Sequence, residues 1–135
     1  MFLKRLPLAI GCALALSGAP AQADDAEIRH GERVFRTQCA GCHSTRPDDH
    51  RAGPSLYDVV GRTAGEVPGF DFSPALQQAE FTWTGETLDS FLTEPAAMLP
   101  GTQMVFWGLD DQPRSRVIRY LETLSDDPLS GDAGR

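Results

Sequence analysis

The sequence predicts one all-α domain of about four to five short helices joined by long loops. Apolar residues recur at helical spacing in several segments that begin with a capping residue. Prolines and glycines are concentrated in residues 44–72, and no segment alternates polar and apolar residues as a half-buried strand does. With 135 residues, the chain can form a single hydrophobic core but not two domains, each with its own core.

The N-terminal residues have the order typical of a secretory signal peptide. Lys4 and Arg5 precede an apolar run over residues 6–16, and a small-residue cleavage sequence ends at Ala23. We therefore predict a signal peptide over residues 1–23, cleavage after Ala23 and a periplasmic mature protein. Cys12 suggests a lipoprotein site, but we rank lipidation lower because the apolar run before Cys12 is short even for a signal core.

The predicted mature chain is acidic. Lys4 is the only lysine, and removing it with Arg5 from the twelve basic residues leaves ten arginines against nineteen acids, a net charge of −9. This balance excludes a nucleic-acid binder and favours partners with a basic face. No apolar stretch of the mature chain approaches the roughly 18 residues of a membrane-spanning helix.

Capping residues and helical spacing place the elements in order. Asp24 or Asp25 can cap a first helix that runs to about Gln38, and residues 44–72 then form a loop. A short helix over Ala75–Glu80 follows Pro74, since proline is favoured in a first helical turn.

The next two helices have clearer start signals. Thr84 can cap a helix over Gly85–Thr93. Asp110 or Asp111 can cap the last helix, which has Pro113 in its first turn. Its predicted buried residues are Val117, Ile118, Tyr120, Leu121 and Leu124. The domain should therefore cover residues 24–124, with a polar, frayed tail over residues 125–135.

The sequence Cys39-Ala40-Gly41-Cys42-His43 carries the clearest chemical signal. A redox disulfide or half of a zinc site could use such a pair, but the chain has neither a βαβ context nor a second cysteine pair at ligand spacing. On a helical turn, residues three apart face the same way, so Cys39 and Cys42 can form thioethers to one porphyrin. Because such attachment occurs after export, the motif favours a covalent haem c with His43 as the proximal axial ligand.

The other side of the iron needs a second ligand if the haem is to transfer electrons rather than bind gases or peroxide. The mature chain offers Met98 and Met104, and either could be core filler. Met104 follows Pro100 and Gly101 in a loop, where packing alone gives little reason for a methionine.

Further motifs follow one another in a recognisable order. They are Gly31 and Phe35 before the cysteines, Gly53-Pro54-Ser55-Leu56, Gly61-Arg62, Trp83, the loop from Phe91 to Phe106, and Tyr120-Leu121. Over nearly all of residues 26–123 the chain resembles the class I cytochromes c, small monohaem proteins of mitochondria and the bacterial periplasm. The resemblance implies the cytochrome c fold, with helices and loops wrapped around one covalently bound haem.

The resemblance also implies roles for single residues. Met104 would be the distal iron ligand, and the Pro54 carbonyl would accept the His43 ring N–H. Arg62 and Trp83 would hold a haem propionate, and Thr102 would hydrogen-bond near the propionates on the methionine side.

The resemblance also concerns the crossing of the terminal helices, two aromatic positions and the charge of the docking surface. Gly31 would let the terminal helices cross, with Phe35 packing on Tyr120. Phe72 and Phe91 stand where many relatives have tyrosines, so two hydroxyl donors near the haem are missing. Gln103, Ala96 and Ala97 replace lysines of mitochondrial members, so the basic docking ring is absent.

The implied function is electron transfer, without enzymatic catalysis, between a donor dehydrogenase or cytochrome and a terminal acceptor. One alternative is a haem ligand-binding or peroxidase-type protein with a labile Met104. Another is a cytochrome subunit of a dehydrogenase complex, which leaves the haem chemistry unchanged. We also expect the polypeptide without haem to be largely unfolded, because a chain with so many loops needs the haem to supply much of its apolar core.

Overall fold

Helices account for the regular structure of residues 20–125, the part of the chain that the computed structural model describes. They are α1 (Pro20–Val34), a π-helical turn (Phe35–Cys39) that continues it, α2 (Pro74–Gln77), α3 (Gly85–Thr93), α4 (Pro95–Met98) and α5 (Asp111–Glu122). In this range the only β pairing is one isolated antiparallel bridge between Thr63 and Thr82. The predicted all-α class is confirmed. No helix between residues 20 and 125 combines the length and apolarity needed to cross a membrane.

The N-terminal helix starts earlier than predicted. It begins at Pro20 rather than at Asp24 or Asp25, because proline suits the first turn and the alanines that follow favour a helix. Most of the predicted signal peptide (residues 1–19) and of the predicted tail (126–135) lies outside the described residues. Cleavage after Ala23 and the domain boundaries therefore stay predictions.

Helices α1 and α5 cross at a glycine. A Cβ atom on Gly31 would lie 2.0 Å from the Arg116 carbonyl oxygen and 2.8 Å from the Tyr120 Cβ, so only glycine allows this approach. One turn further, the Phe35 and Tyr120 rings lie 5.8 Å apart. The Arg116 guanidinium donates to both Glu27 carboxylate oxygens, at 2.9 and 3.3 Å. Helix α1, the π-helical turn and helix α5 therefore form one packed unit directly before the cysteine motif.

Side-chain caps define the starts of the two middle helices. Ser73 accepts the Leu76 N–H before α2, which begins at Pro74 and ends at Gln77, three residues before the predicted end. Thr84 and Thr87 form a reciprocal capping box before α3. The predicted bounds of α3 are confirmed, and its Leu88, Phe91 and Leu92 are buried.

The core is formed by α3, α5, the π-helical turn and the loops between Leu56 and Trp83. Its buried hydrophobic residues are Phe35, Val59, Ala64, Trp83, Leu88, Phe91, Leu92, Val117, Ile118 and Leu121. Of the residues predicted to be buried in α5, Tyr120 and Leu124 are only partly buried. The sequence did not predict α4, a single turn that begins at Pro95 and stands between α3 and the methionine loop.

Candidate haem site

The two cysteines and the histidine lie on one continuous helical turn. The π-helical turn closes with the Ala40 N–H donating to the Phe35 carbonyl at 2.9 Å, an i to i+5 bond. The Cys39 carbonyl then accepts both the Cys42 N–H at 3.0 Å and the His43 N–H at 2.9 Å. The main chain therefore brings Cys39, Cys42 and His43 together in the helical geometry that the spacing predicts.

The His43 imidazole is buried and held at one nitrogen. Its side chain is 9% exposed, and its Nδ1 lies 2.7 Å from the Pro54 carbonyl oxygen. Because a carbonyl only accepts, Nδ1 carries the proton and Nε2 keeps a free lone pair. Burial lowers the pKa of His43, an effect that the Pro54 bond partly opposes and nearby Arg62 adds to. The neutral ring, which is the metal-binding form, is thereby favoured.

Gly53 packs directly against the His43 ring. A Cβ at this position would lie 2.3 Å from Cε1 and 2.7 Å from Nδ1 of the imidazole, closer than any real contact. The Gly53 N–H also donates to the Cys42 carbonyl at 2.8 Å. The main chain of this loop thus fixes both the position of the ring and the end of the cysteine turn.

The cysteine thiols are free, with Cys39 partly buried and Cys42 exposed. Burial, together with the nearby Cys42, raises the pKa of the Cys39 thiol to about 11. A redox-active pair needs a lowered thiol pKa, so this environment does not favour the redox-disulfide alternative. Among residues 20–125, no three histidine, cysteine or acidic side chains converge to hold a metal ion, so the zinc alternative also lacks its ligands.

Arg62 and Trp83 are joined through their main chains. The Trp83 N–H donates to the Arg62 carbonyl at 2.9 Å, and the Gly61 N–H donates to the Trp83 carbonyl at 2.7 Å. The partly buried Arg62 guanidinium donates to the carbonyls of Ser55 at 3.1 Å and Tyr57 at 3.4 Å. Burial lowers the pKa of Arg62, against the opposing effect of Asp58. Since Ser55 follows Pro54, Arg62 is linked to the loop that holds His43.

Phe72 and Phe91, for which the resemblance implies tyrosines in many relatives, lie in aromatic clusters. Phe91 is buried with its ring 5.1 Å from Trp83, and Trp83 lies 4.8 Å from Phe81. Phe72 is partly buried against Phe70, with ring centroids 5.0 Å apart. Both phenylalanines therefore contact other aromatic rings.

The methionine loop runs between two anchored ends. Thr102 donates its N–H to the Leu99 carbonyl at 3.1 Å, and its hydroxyl oxygen accepts the Met104 N–H at 3.3 Å. Met104 is partly buried against the core from an extended segment, whereas Met98 is partly buried at the end of α4. A hydrogen bond thus joins Thr102 and Met104 within the methionine loop, whereas His43 and Arg62 are both linked to the Pro54 loop.

One loop clamp was not predicted from the sequence. The His50 Nδ1 accepts the Ser55 N–H at 3.0 Å, and its Nε2 donates to the Pro68 carbonyl at 2.9 Å. The Ser55 hydroxyl donates to the Arg46 carbonyl. His50 therefore ties two distant parts of loop 44–72 together beside Pro54. The sequence signal was a lone histidine in a loop rich in proline and glycine.

These residues fit a covalent haem. Two free thiols on one turn precede a buried imidazole whose Nε2 is available, and Gly53, which has no Cβ, lets the loop pack against the ring beside its Pro54 bond. This is the donor set that haem c requires: two thioether sulfurs and an oriented neutral histidine.

Comparison with known proteins gives one consistent result. The family model described as cytochrome c matches residues 28–125. The chain is 42% identical to cytochrome c2 of Rhodomicrobium vannielii and 40% identical to cytochrome c2 of Blastochloris viridis, in each case over 84% of this chain and 90% and 89% of the relatives. It is also 41% identical to cytochrome c 2.1 of Caenorhabditis briggsae, over 77% of this chain and 94% of the relative.

Members of this family carry electrons on one covalently attached haem c, and they are not enzymes. The match spans the cysteine turn, the Pro54 loop, the methionine loop and α5. The chain therefore belongs to the cytochrome c family, in its class I.

Proposed function

We propose that this chain is a periplasmic electron carrier whose haem is attached at Cys39 and Cys42 and whose iron is held between His43 and Met104. The observation that carries the proposal is the buried His43 ring, fixed at Nδ1 by the Pro54 carbonyl directly after the two free thiols. When bound, the haem supplies an iron that alternates between Fe(II) and Fe(III). The protein orients the imidazole through the Pro54 bond, which also makes it a stronger donor.

Met104 supplies the second iron ligand in this proposal. The Met104 side chain is partly buried, and it belongs to a loop that is fixed at both ends. One end is held at Thr102. The other is held beyond Gly108, where the Leu109 N–H donates to the Leu92 carbonyl at 2.8 Å. A thioether sulfur is a soft ligand that favours Fe(II). Two fixed axial ligands also keep rearrangement small when an electron moves.

Three further residues bind the haem edge in this proposal. Arg62 and Trp83 hold one propionate, and Thr102 donates its hydroxyl hydrogen near the propionates on the methionine side. The partly buried Arg62 guanidinium supports this, because it has more N–H donors than its bonds to the Ser55 and Tyr57 carbonyls use. Because burial disfavours an isolated positive charge, an anionic partner there would stabilise it.

The cellular setting is also part of the proposal. Residues 1–23 act as the signal peptide, 24–124 form the cytochrome domain and 125–135 are a polar tail. The resulting charge of −9 favours a donor dehydrogenase or cytochrome and a terminal acceptor with basic docking surfaces, in weak, salt-sensitive complexes.

The two methionines provide a matched test of the distal ligand. Met104→Ala should abolish the weak charge-transfer band at the red end of the oxidised spectrum, because that band requires a sulfur on the iron. Met98→Ala should keep the band, because Met98 is core filler in this account. Absorption spectroscopy of the oxidised holoproteins gives the answer.

The competing function predicts a different pattern. A ligand-binding or peroxidase-type haem would lack a stable methionine ligand, and buried Phe91 offers no hydroxyl to the sulfur. The wild type would then lack the band at neutral pH and bind added carbon monoxide readily when reduced. A band that survives Met104→Ala would instead exclude Met104 as the ligand.

A further inference from the structure

The segment Gln103–Trp107 shows two different faces. Met104 and Phe106 are partly buried against the core, whereas Val105 is 92% and Trp107 is 94% exposed. This alternation is that of an extended chain, in which successive side chains point to opposite sides. In residues 20–125, these two are the large hydrophobic side chains that the fold leaves almost fully in water.

The segment that carries Trp107 is firmly held. Gly108 has φ of +102°, and a Cβ there would lie 2.0 Å from the Thr93 carbonyl oxygen, so the chain turns back onto α3 at this point. The next residue, Leu109, donates its N–H to Leu92. Trp107 is therefore displayed by an anchored turn.

A groove of about 440 Å³ runs beside the indole. Its lining residues are Val34, Gln38, Thr93, Trp107, Gly108, Leu109, Asp110 and Pro113. The groove has a mostly polar lining beside the aromatic ring of Trp107, and it includes the carboxylate of Asp110. This combination suits a long cationic side chain, whose apolar stem can lie on the indole and whose charged head can reach the carboxylate.

Carboxylates border the groove at the start of α5. Asp110 lines it, and Asp111 is its neighbour at the start of α5. Arg114 is the nearby cation of α5, and its guanidinium is already bound to Asp89 at 2.7 Å and to Asp111 at 2.8 Å. Because Asp89 and Asp111 already occupy the Arg114 guanidinium, the structure shows no ion pair from Arg114 to the Asp110 carboxylate.

We propose that the tryptophan patch, defined as Val105, Trp107 and Asp110 with the adjoining groove, is the surface on which a redox partner docks. The partner presents apolar surface with an arginine or lysine that covers the Trp107 ring and pairs with Asp110. Tryptophan is enriched among the residues that dominate binding energy at protein interfaces. This inference rests on the proposed function, in which Met104 is an iron ligand. Val105 is the next residue in the sequence, so a partner docked on the patch lies one residue from the Met104 sulfur.

A cationic, aromatic redox reagent tests the patch. Tris(phenanthroline)cobalt(III) combines positive charge with apolar faces, and stopped-flow kinetics would follow its oxidation of the reduced holoprotein. Trp107→Ala should slow this reaction about fivefold, because the ring contact with the cation is lost, while Trp107→Phe should retain most of the rate. Asp110→Asn, which keeps the size of a side chain that makes no cap hydrogen bond here, should slow it about twofold at low salt and not at high salt.

Two controls separate docking from general damage. Reduction of the oxidised protein by hexaammineruthenium(II), a cation without apolar surface, should be unchanged in Trp107→Ala. Gln78→Ala, which removes an exposed polar side chain after α2, should leave both reactions unchanged.

The outcomes distinguish this inference from the proposed function. If Trp107→Ala keeps its charge-transfer band and its phenanthroline rate, the patch is wrong and the iron ligation stands. An equal slowing with both reagents also contradicts the patch. A Trp107-dependent dimer in sedimentation would show that a second copy of the chain, rather than a basic partner, covers this surface.

Discussion

Gly53→Ala should weaken the folded holoprotein by about 3 kcal/mol or more, because the added methyl overpacks a buried site and displaces a hydrogen-bonded ring. The new Cβ would lie 2.3 Å from Cε1 of His43. The imidazole would have to move, and the 2.7 Å bond from Nδ1 to Pro54 would stretch or break. Guanidinium unfolding monitored by the haem absorption and by circular dichroism measures the loss.

Gly41→Ala is the matched control for this substitution. Gly41 lies between the two cysteines, yet an added Cβ there meets nothing within 4 Å. We expect a change within about 0.5 kcal/mol, as for other surface substitutions. Equal stability of Gly53→Ala and Gly41→Ala would show that the close contact of Gly53 with the His43 ring does not stabilise the folded holoprotein.

The double variant Cys39→Ser/Cys42→Ser should lose most of its helical structure. Without thioethers the haem is not covalently held, and ten buried hydrophobic residues form the rest of the core in residues 20–125. Ordering a chain costs about 1–2 kcal/mol per residue in backbone entropy, and so small a core offsets little of that cost. Far-UV circular dichroism of the purified variant measures the remaining helix.

Ala40→Ser provides the control, because it introduces the same hydroxyl into the same turn without removing a thiol. It should keep its haem and its helicity. Native helicity in the double variant would show that the polypeptide folds without the haem, contrary to our expectation.

The success of the helix predictions depended on local signals. Helix α3 was predicted with its bounds because Thr84 can satisfy the first backbone N–H groups by itself. Helix α5 was predicted because Asp110 and Pro113 mark its start. By contrast, α4 is one turn that begins at Pro95, too short for an apolar period to be visible.

The π-helical turn and the start of α1 lacked such signals. The i to i+5 bond from Ala40 to Phe35 joins main-chain atoms, so it leaves no mark in the spacing of side-chain types. The start of α1 at Pro20 was missed because Asp24 and Asp25 are good caps, whereas proline and the alanines that follow it carry the helix through an earlier turn.

The site was only partly visible in the sequence. The spacing of Cys39, Cys42 and His43 follows from chemistry that acts within one helical turn. The contact of Gly53 with the ring joins residues ten apart, and the clamp from His50 to Pro68 joins residues still further apart. Such contacts depend on how loop 44–72 folds back, which no periodicity encodes.

The most direct test of the haem site is a pyridine haemochrome spectrum of protein produced with a cytochrome maturation system, recorded after extraction with acidified acetone. The account predicts one haem per chain that stays with the polypeptide and has the spectrum of a porphyrin with both vinyl groups converted to thioethers. A colourless protein, or a pigment that passes entirely into the acetone, would contradict attachment at Cys39 and Cys42.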